Sequence, residues 1–196
     1  MRAIQINYAD EQAKLYGKQL NSYAFVTLRS VGEQPGQSSP RYLASWKTLP
    51  EGAIIPAWKF SVRGVFPELY VTNYTSYSPA VLYDSIPIYG FRYTNNIPFP
   101  SAEAAAKGGP YPWLPYIAFN HLGQLTQDGV SLSDYDEYIP VARGGVLYAA
   151  DQNRVATAQP PSMIENPTGN GTNAFTVVHI DKLTGRARLE KQELLP

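Results

Sequence analysis

The sequence predicts an α+β fold, in which an N-terminal helix packs across antiparallel sheets, and three features of the 196 residues predict it. The first twenty residues carry apolar side chains at helical spacing, most of the remaining segments alternate at period two, and the C-terminal end reads as a hairpin. In the first segment Ile6, Ala9, Ala13, Tyr16 and Leu20 recur at three- and four-residue steps. Asp10, Glu11, Lys14 and Lys18 take the other side, with Asp10 and Lys14 spaced as an i,i+4 pair. The apolar stripe is narrow and Gly17 costs about 1 kcal/mol relative to Ala, so this helix needs a sheet to dock on.

The strands follow in order. Tyr23 to Leu28 alternates aromatic and β-branched residues and predicts a first strand, and Val31 to Arg41 is a polar loop. Tyr42 to Leu49 predicts a second strand, Pro50 to Gly52 a turn, and Ala53 to Phe60 a third strand that Pro56 confines to an edge or bulge. From Val65 to Tyr116 the character changes: eight of the 15 Tyr and eight of the 17 Pro fall here, which predicts an irregular insertion held by buried rings. Ser101 to Lys107 is its one helical candidate. Tyr116 to Leu125 reads as strand, Gly123 turn and strand, followed by strands at Tyr138 to Arg143 and Gly145 to Ala150 and a Pro/Asn/Gly loop from Gln159 to Asn173. In the final hairpin Phe175, Val177 and His179 alternate with Thr176, Val178 and Ile180, and Gly185 supplies the positive φ that a turn over Asp181 to Gly185 needs. Ala187 and Leu189 are expected to face inward, with Arg186, Arg188 and Glu190 in solvent. A length of 196 residues suits a single domain, 1–196.

Composition excludes several classes. Sixteen basic residues balance sixteen acidic ones, so no field draws in a phosphate backbone, and nucleic acid is not expected as a partner. With no cysteine there is no disulfide, thiolate nucleophile or zinc-finger spacing. The sequence has no apolar run of the roughly 18 residues that cross a bilayer.

Candidate chemistry is sparse. His121 and His179 fall in different strands and show no metal-ligand spacing, so structural roles are expected for both. Ser131 lacks the second glycine of a nucleophile elbow. Gly169 to Ala174 fits a GxGxxA pattern but precedes a strand, which favours a turn over a phosphate loop. Asp128, Asp134, Asp136 and Glu137 form an acidic cluster, read first as a solvated loop and second as a calcium site on Asp134, Asp136 and Glu137. No other cofactor is expected. The tyrosines of the insertion, Tyr74, Tyr77 and Tyr89 among them, are candidates for a satellite core, a protein interface or a sugar-stacking surface.

Several segments carry a resemblance in a shared order. "EQAKLYGKQLNSYAFVTL", "SWKTLPEGAII", "LPYIAFNHLGQLT" and above all "IDKLTGRARLEKQEL" are similar to elements of minor pseudopilins and type IV pilin-like proteins of type II secretion systems. The insertion at 65–116 matches none of them. That resemblance implies a pilin-like domain in which residues 1–20 end a stem helix. It also implies that a further apolar helix precedes Ile4 and holds the protein in a bacterial inner membrane, with the domain in the periplasm or on a surface filament. The implied function is non-enzymatic assembly with other pilin-like subunits, for which Asp10, Glu11, Lys14, Lys18, Tyr74, Tyr77 and Tyr89 are interface candidates. The isolated domain is then expected to be a monomer. The alternative is a carbohydrate-binding or adhesive β-domain that uses the insertion.

Overall fold

The structure, a computed structural model, describes residues 18–28, 34, 40–60, 65–73, 82–99, 111–152, 157 and 159–191. In chain order its strands are β1 (Ser22–Tyr23), β2 (Val26–Thr27), β3 (Arg41–Tyr42), β4 (Lys47–Thr48), β5 (Ala53–Ile54), β6 (Val65–Asn73), β7 (Leu82–Tyr89), β8 (Thr94–Asn96) and β9 (Trp113–Pro115). Then come β10 (Ala118–Phe119), β11 (Leu125–Thr126), β12 (Glu137–Leu147), β13 (Ser162–Glu165), β14 (Thr176–Ile180) and β15 (Ala187–Lys191). The α+β expectation is overturned: among the described residues the chain is β-rich, and no helix packs on a sheet. Its helical structure there is a 3-10 turn at Ala57–Phe60 and a single turn at Asn170–Asn173. Frequent Pro and Gly cut the chain into short pieces, and the surviving pieces alternate at period two, which suits ladders. The one long helix expected, over residues 1–20, lies almost wholly outside the described residues. Lys18 to Leu20 within it form a turn in which Leu20 takes φ 67°.

The chain divides into two compact units, one of Met1–Gly52, Asn95–Leu114 and Gly145–Ile164, the other of Ala53–Thr94, Pro115–Gly144 and Glu165–Pro196. In the first unit the two expected strands at 23–28 and 42–49 do meet, each broken into two-residue pieces. β1 pairs antiparallel with β4 and β2 with β3. The interruption lets Trp46 turn onto the Phe99 ring, 5.5 Å away edge to face, and Tyr42 donate its hydroxyl to the Pro98 carbonyl at 2.8 Å.

The second unit is built on β12, β14 and β15. β12 pairs antiparallel with β14 and β14 with β15, while β5 pairs with Ala142 and Arg143 of β12. The core comprises Ile54, Ile88, Phe91, Leu125, Ala142, Phe175, Val177 and Ile180. The third strand expected at 53–60 stops after Ile54. Pro56 cannot extend the ladder, and the 3-10 turn beyond it brings Lys59 inward and lays Phe60 against Phe91. The insertion is likewise less irregular than its prolines suggest, because β6 and β7 form a long antiparallel hairpin. Pro67 falls where the register shifts between Phe66 and Glu68, and in a two-stranded ladder each strand keeps a free edge that tolerates Pro. The helical candidate at 101–107 lies outside the described residues. The strands expected at 138–143 and 145–150 are one strand, β12, and the loop expected at 159–173 contains β13 and the turn at Asn170–Asn173.

Candidate functional site

Strand periodicity assembles the most concentrated chemistry of the second unit on one face. Val177 and His179 share the inward face of β14, and the register sets Tyr138 of β12 and Arg188 of β15 directly opposite His179. Opposite residues in antiparallel pairs lie on the same face, and so do residues two along. Asp136, Tyr138, Val177, His179, Arg188 and Glu190 therefore converge. Arg188, with its side chain 70% exposed, stands in solvent as expected, but Ala187 and Leu189 do not face inward, Leu189 being 75% exposed, and Glu190 is half-buried.

The His179 ring, 6% exposed, is spent on both nitrogens. Nε2 lies 2.8 Å from Asp136 Oδ2, and Nδ1 lies 2.8 Å from Glu190 Oε1. Arg188 Nε donates to the same Glu190 oxygen at 2.5 Å and reaches Nδ1 at 3.2 Å. Each ring nitrogen thus faces a carboxylate oxygen, and the Arg188 guanidinium shares the Glu190 oxygen. Tyr138 stacks on the imidazole at 4.5 Å between centroids. Burial, reinforced by the negative charges of Asp136 and Glu190, pushes its phenol up to about 12. The other Asp136 oxygen accepts the Lys182 backbone N–H at 2.9 Å, which ties the β14–β15 turn to the start of β12.

A second cluster lies beside it. Lys59, 1% exposed, donates from Nζ to the Tyr89 carbonyl at 2.7 Å and to the Glu137 carboxylate, and sits 4.8 Å over the Phe91 ring. Burial lowers its pKa, and the Glu137 charge opposes that shift. The Arg92 guanidinium lies 4.4 Å from the Tyr89 ring centroid and 4.4 Å from that of Tyr135. A pocket of about 40 Å³ opens among Tyr89, Arg92, Tyr93, Gln127, Ser133, Tyr135, Asp136, Glu137 and Tyr138. Small-molecule sites span roughly 300–1,000 Å³, so this one holds a few waters or the tip of a larger ligand.

The residues singled out by sequence separate sharply. Asp10, Glu11, Lys14, Tyr74 and Tyr77 lie outside the described residues, Lys18 lies in a half-buried turn, and Tyr89 lines the pocket. The calcium candidates do not converge. The Asp136 and Glu137 carboxylates are bonded to His179 and Lys59, whereas Asp134 engages Lys182 Nζ through its backbone carbonyl at 2.6 Å. Among the described residues no group of three His, Cys, Asp or Glu is placed to hold a metal. Asp128 closes its own loop by accepting the N–H groups of Val130 and Ser131 at 2.8 and 2.7 Å and the Ser131 hydroxyl at 2.8 Å. These bonds hold its carboxyl well below the usual carboxylate range. That leaves Ser131 a turn residue, and His121 sits exposed in the turn after β10. The GxGxxA segment forms the one-turn helix at Asn170–Asn173, where Gly171 accepts the Trp58 indole N–H at 2.8 Å on its carbonyl. Sequence reasoning missed Lys59 and Arg92 and the roles of Arg188 and Glu190; for the latter two the available signal was the β14–β15 register, which follows from the length of the Asp181–Gly185 turn.

No family model, no curated protein and no solved structure matches the chain. Among the described residues no helix is long and apolar enough to cross a membrane.

Proposed function

We propose that this chain acts by assembly, as a non-enzymatic structural subunit that joins the pilin-like subunits of a bacterial type II secretion or type IV pilus system. It would work at the inner membrane with its domain in the periplasm, or on a surface filament. One observation carries the choice of assembly over catalysis. The ionisable side chains of the His179 and Lys59 clusters are paired with one another, while large apolar side chains stand in solvent at two neighbouring turns. Both His179 nitrogens face carboxylates, which leaves no ring nitrogen to exchange a proton with a substrate. The 120–124 and 181–185 turns meet through the Leu125 N–H to Lys182 carbonyl bond of 3.0 Å, and Phe119, Leu122 and Leu183 are exposed beside that junction. Exposed apolar side chains gathered at one junction suit a protein contact. The motif order supplies the class of partner.

The test is co-expression of the full chain with pilin-like subunits of the same organism and recovery of the complex through a tag on the partner. Leu122→Lys combined with Leu183→Lys should cut recovery at least tenfold. Recovery equal to wild type, or a measurable turnover abolished by His179→Ala, would sink the reading. A second reading has its own observation. Tyr135 is exposed, carries the Arg92 guanidinium on its ring, and stands at the mouth of a pocket edged by Ser133, Gln127 and Asp136, an arrangement suited to a sugar. Glycan-array binding lost on Tyr135→Ala would favour it.

A further inference from the structure

β15 ends the strand order of its sheet, and among the described residues no strand pairs with its outer edge. The Asp181 N–H donates to the Arg186 carbonyl at 3.0 Å, which makes 181 and 186 a hydrogen-bonded pair in the β14–β15 register. Hydrogen-bonded pairs alternate along an antiparallel ladder, so Arg188 and Glu190 also turn their backbone groups toward β14. Ala187, Leu189 and Lys191 turn theirs outward. The side chain at the centre of this edge, Leu189, is 75% exposed, more than any other leucine whose exposure is described in the second unit.

We propose that β15 is a homotypic docking edge, whose partner is β15 of a second copy of this chain, paired antiparallel about Leu189. The sequence Ala187-Arg188-Leu189-Glu190-Lys191 is its own complement in that register. Leu189 meets Leu189 of the second copy, and Arg188 meets Glu190 in both directions. The Leu189 pair and the two Ala187–Lys191 pairs exchange about six backbone hydrogen bonds. The Arg188–Glu190 pairs are the non-hydrogen-bonded ones, in which side chains approach more closely. Glu190 can take part without leaving its own sheet, because its bonds to His179 and Arg188 both use Oε1 and leave Oε2. Slipping the register by two residues in one direction opposes Arg188 to Arg188, and in the other Glu190 to Glu190. The charges thus select one register against its neighbours.

The interface is isologous and closes at two copies. One short strand a side is smaller than the standard interface, so pairing is weak and concentration-dependent, against the expectation of an isolated monomer. The inference stands apart from the secretion reading, since it needs only the second copy.

Sedimentation velocity of the full chain over a concentration series should show the weight-average mass rising toward twice the monomer value. Leu189→Lys and Leu189→Glu should each sediment as monomers, because the substitution meets itself across the twofold axis. Their equimolar mixture should associate at least tenfold more tightly than either alone. Only a contact that brings the two 189 positions together gives this pattern. Leu189→Cys, in a chain otherwise free of cysteine, should form a crosslinked dimer on oxidation, since the Cα spacing of about 5.5 Å in such a pair suits a disulfide. The exposed Leu183→Cys should not. A wild-type chain that stays monomeric throughout, a mixture no more associated than its components, or equal crosslinking at 183 and 189 would each overturn the proposal.

Discussion

Lys59→Met should destabilise the protein by about 3–4 kcal/mol, and most of that loss should vanish when Glu137 is neutralised as well. Lys59 is 1% exposed and its ammonium has two partners, the Glu137 carboxylate and the Tyr89 carbonyl. Removing one member of a buried ion pair costs about 3–5 kcal/mol, because the other charge stays buried without its counter-ion. The Glu137 side chain is 23% exposed, so water reaches part of it and the lower end, about 3 kcal/mol, applies. Loss of the bond to the Tyr89 carbonyl adds about 1 kcal/mol. Methionine is close to the lysine stem in length and volume, so no large cavity opens. In Lys59→Met/Glu137→Gln no charge remains to be stranded, and the total should fall to about 1–2 kcal/mol, with a coupling between the sites of at least about 2 kcal/mol once the cost of Glu137→Gln alone is added. Urea melts followed by fluorescence and far-UV circular dichroism, at unchanged m, measure all four corners of the cycle. The pH dependence has a definite sign. Burial lowers the folded pKa of Lys59, so between that lowered value and the unfolded value of 10.5 the unfolded chain binds more protons. Stability therefore rises with pH across this window, and the contribution is lost as pH falls through the folded value. A single variant within 1 kcal/mol of wild type, or a double variant equal to the sum of the singles, would refute the reasoning.

Two further outcomes follow from the hairpin and its network. Gly185→Ala drives a Cβ into the Gly123 carbonyl oxygen at φ +62°, so it should cost about 2 kcal/mol or more by thermal melt and shift the Gly123 and Lys182 amide resonances. Gly52→Ala, at φ +79° with nothing within 4 Å, should cost only the conformational term of about 1 kcal/mol. Tyr138 should ionise near 12, later than an exposed tyrosine, in an absorbance titration at alkaline pH, and Tyr138→Phe should remove that late step. Its raised pKa contributes stability that is complete below pH 10 and lost as pH rises through about 12, opposite in sign to the Lys59 contribution.

What the sequence disclosed depended on range. The closing hairpin was legible almost residue by residue, because alternation and a glycine turn are local signals, and β14, β15 and Gly185 lie where they predict. The facing of β15 was not. An Arg-Ala-Arg-Leu-Glu strand looks charged outward and apolar inward, yet pairing Val177 with Glu190 and His179 with Arg188 turns the charges toward the buried imidazole. Only register decides this, and a one-residue difference in turn length would have reversed it. Pro67 and Pro87 argued against strands in the insertion because proline cannot serve a central strand, but the β6–β7 hairpin has no central strand. Asp136 and Glu137 looked like one acidic patch. As neighbours at the start of β12 they diverge, one to His179 and the other to Lys59.

That divergence links the network to recognition. Asp136 joins the start of β12 to the hairpin turn through Lys182 N–H and to β14 through His179, and Glu190 joins β14 to β15. The Glu190 bond holds the inward face of β15, the Asp136 bonds hold the strand and turn it pairs with, and none of them touches the outward groups of Ala187, Leu189 and Lys191. A short terminal strand left without such ties frays, and a fraying strand presents no defined register to a partner. Internal charge pairing thus rigidifies the strand whose free side carries a self-complementary order of Arg, Leu and Glu. The entropy of ordering that edge is largely met within the fold before a second copy arrives. Loosening the His179 bonds should therefore weaken pairing at Leu189 even though no substituted atom lies on the outer edge.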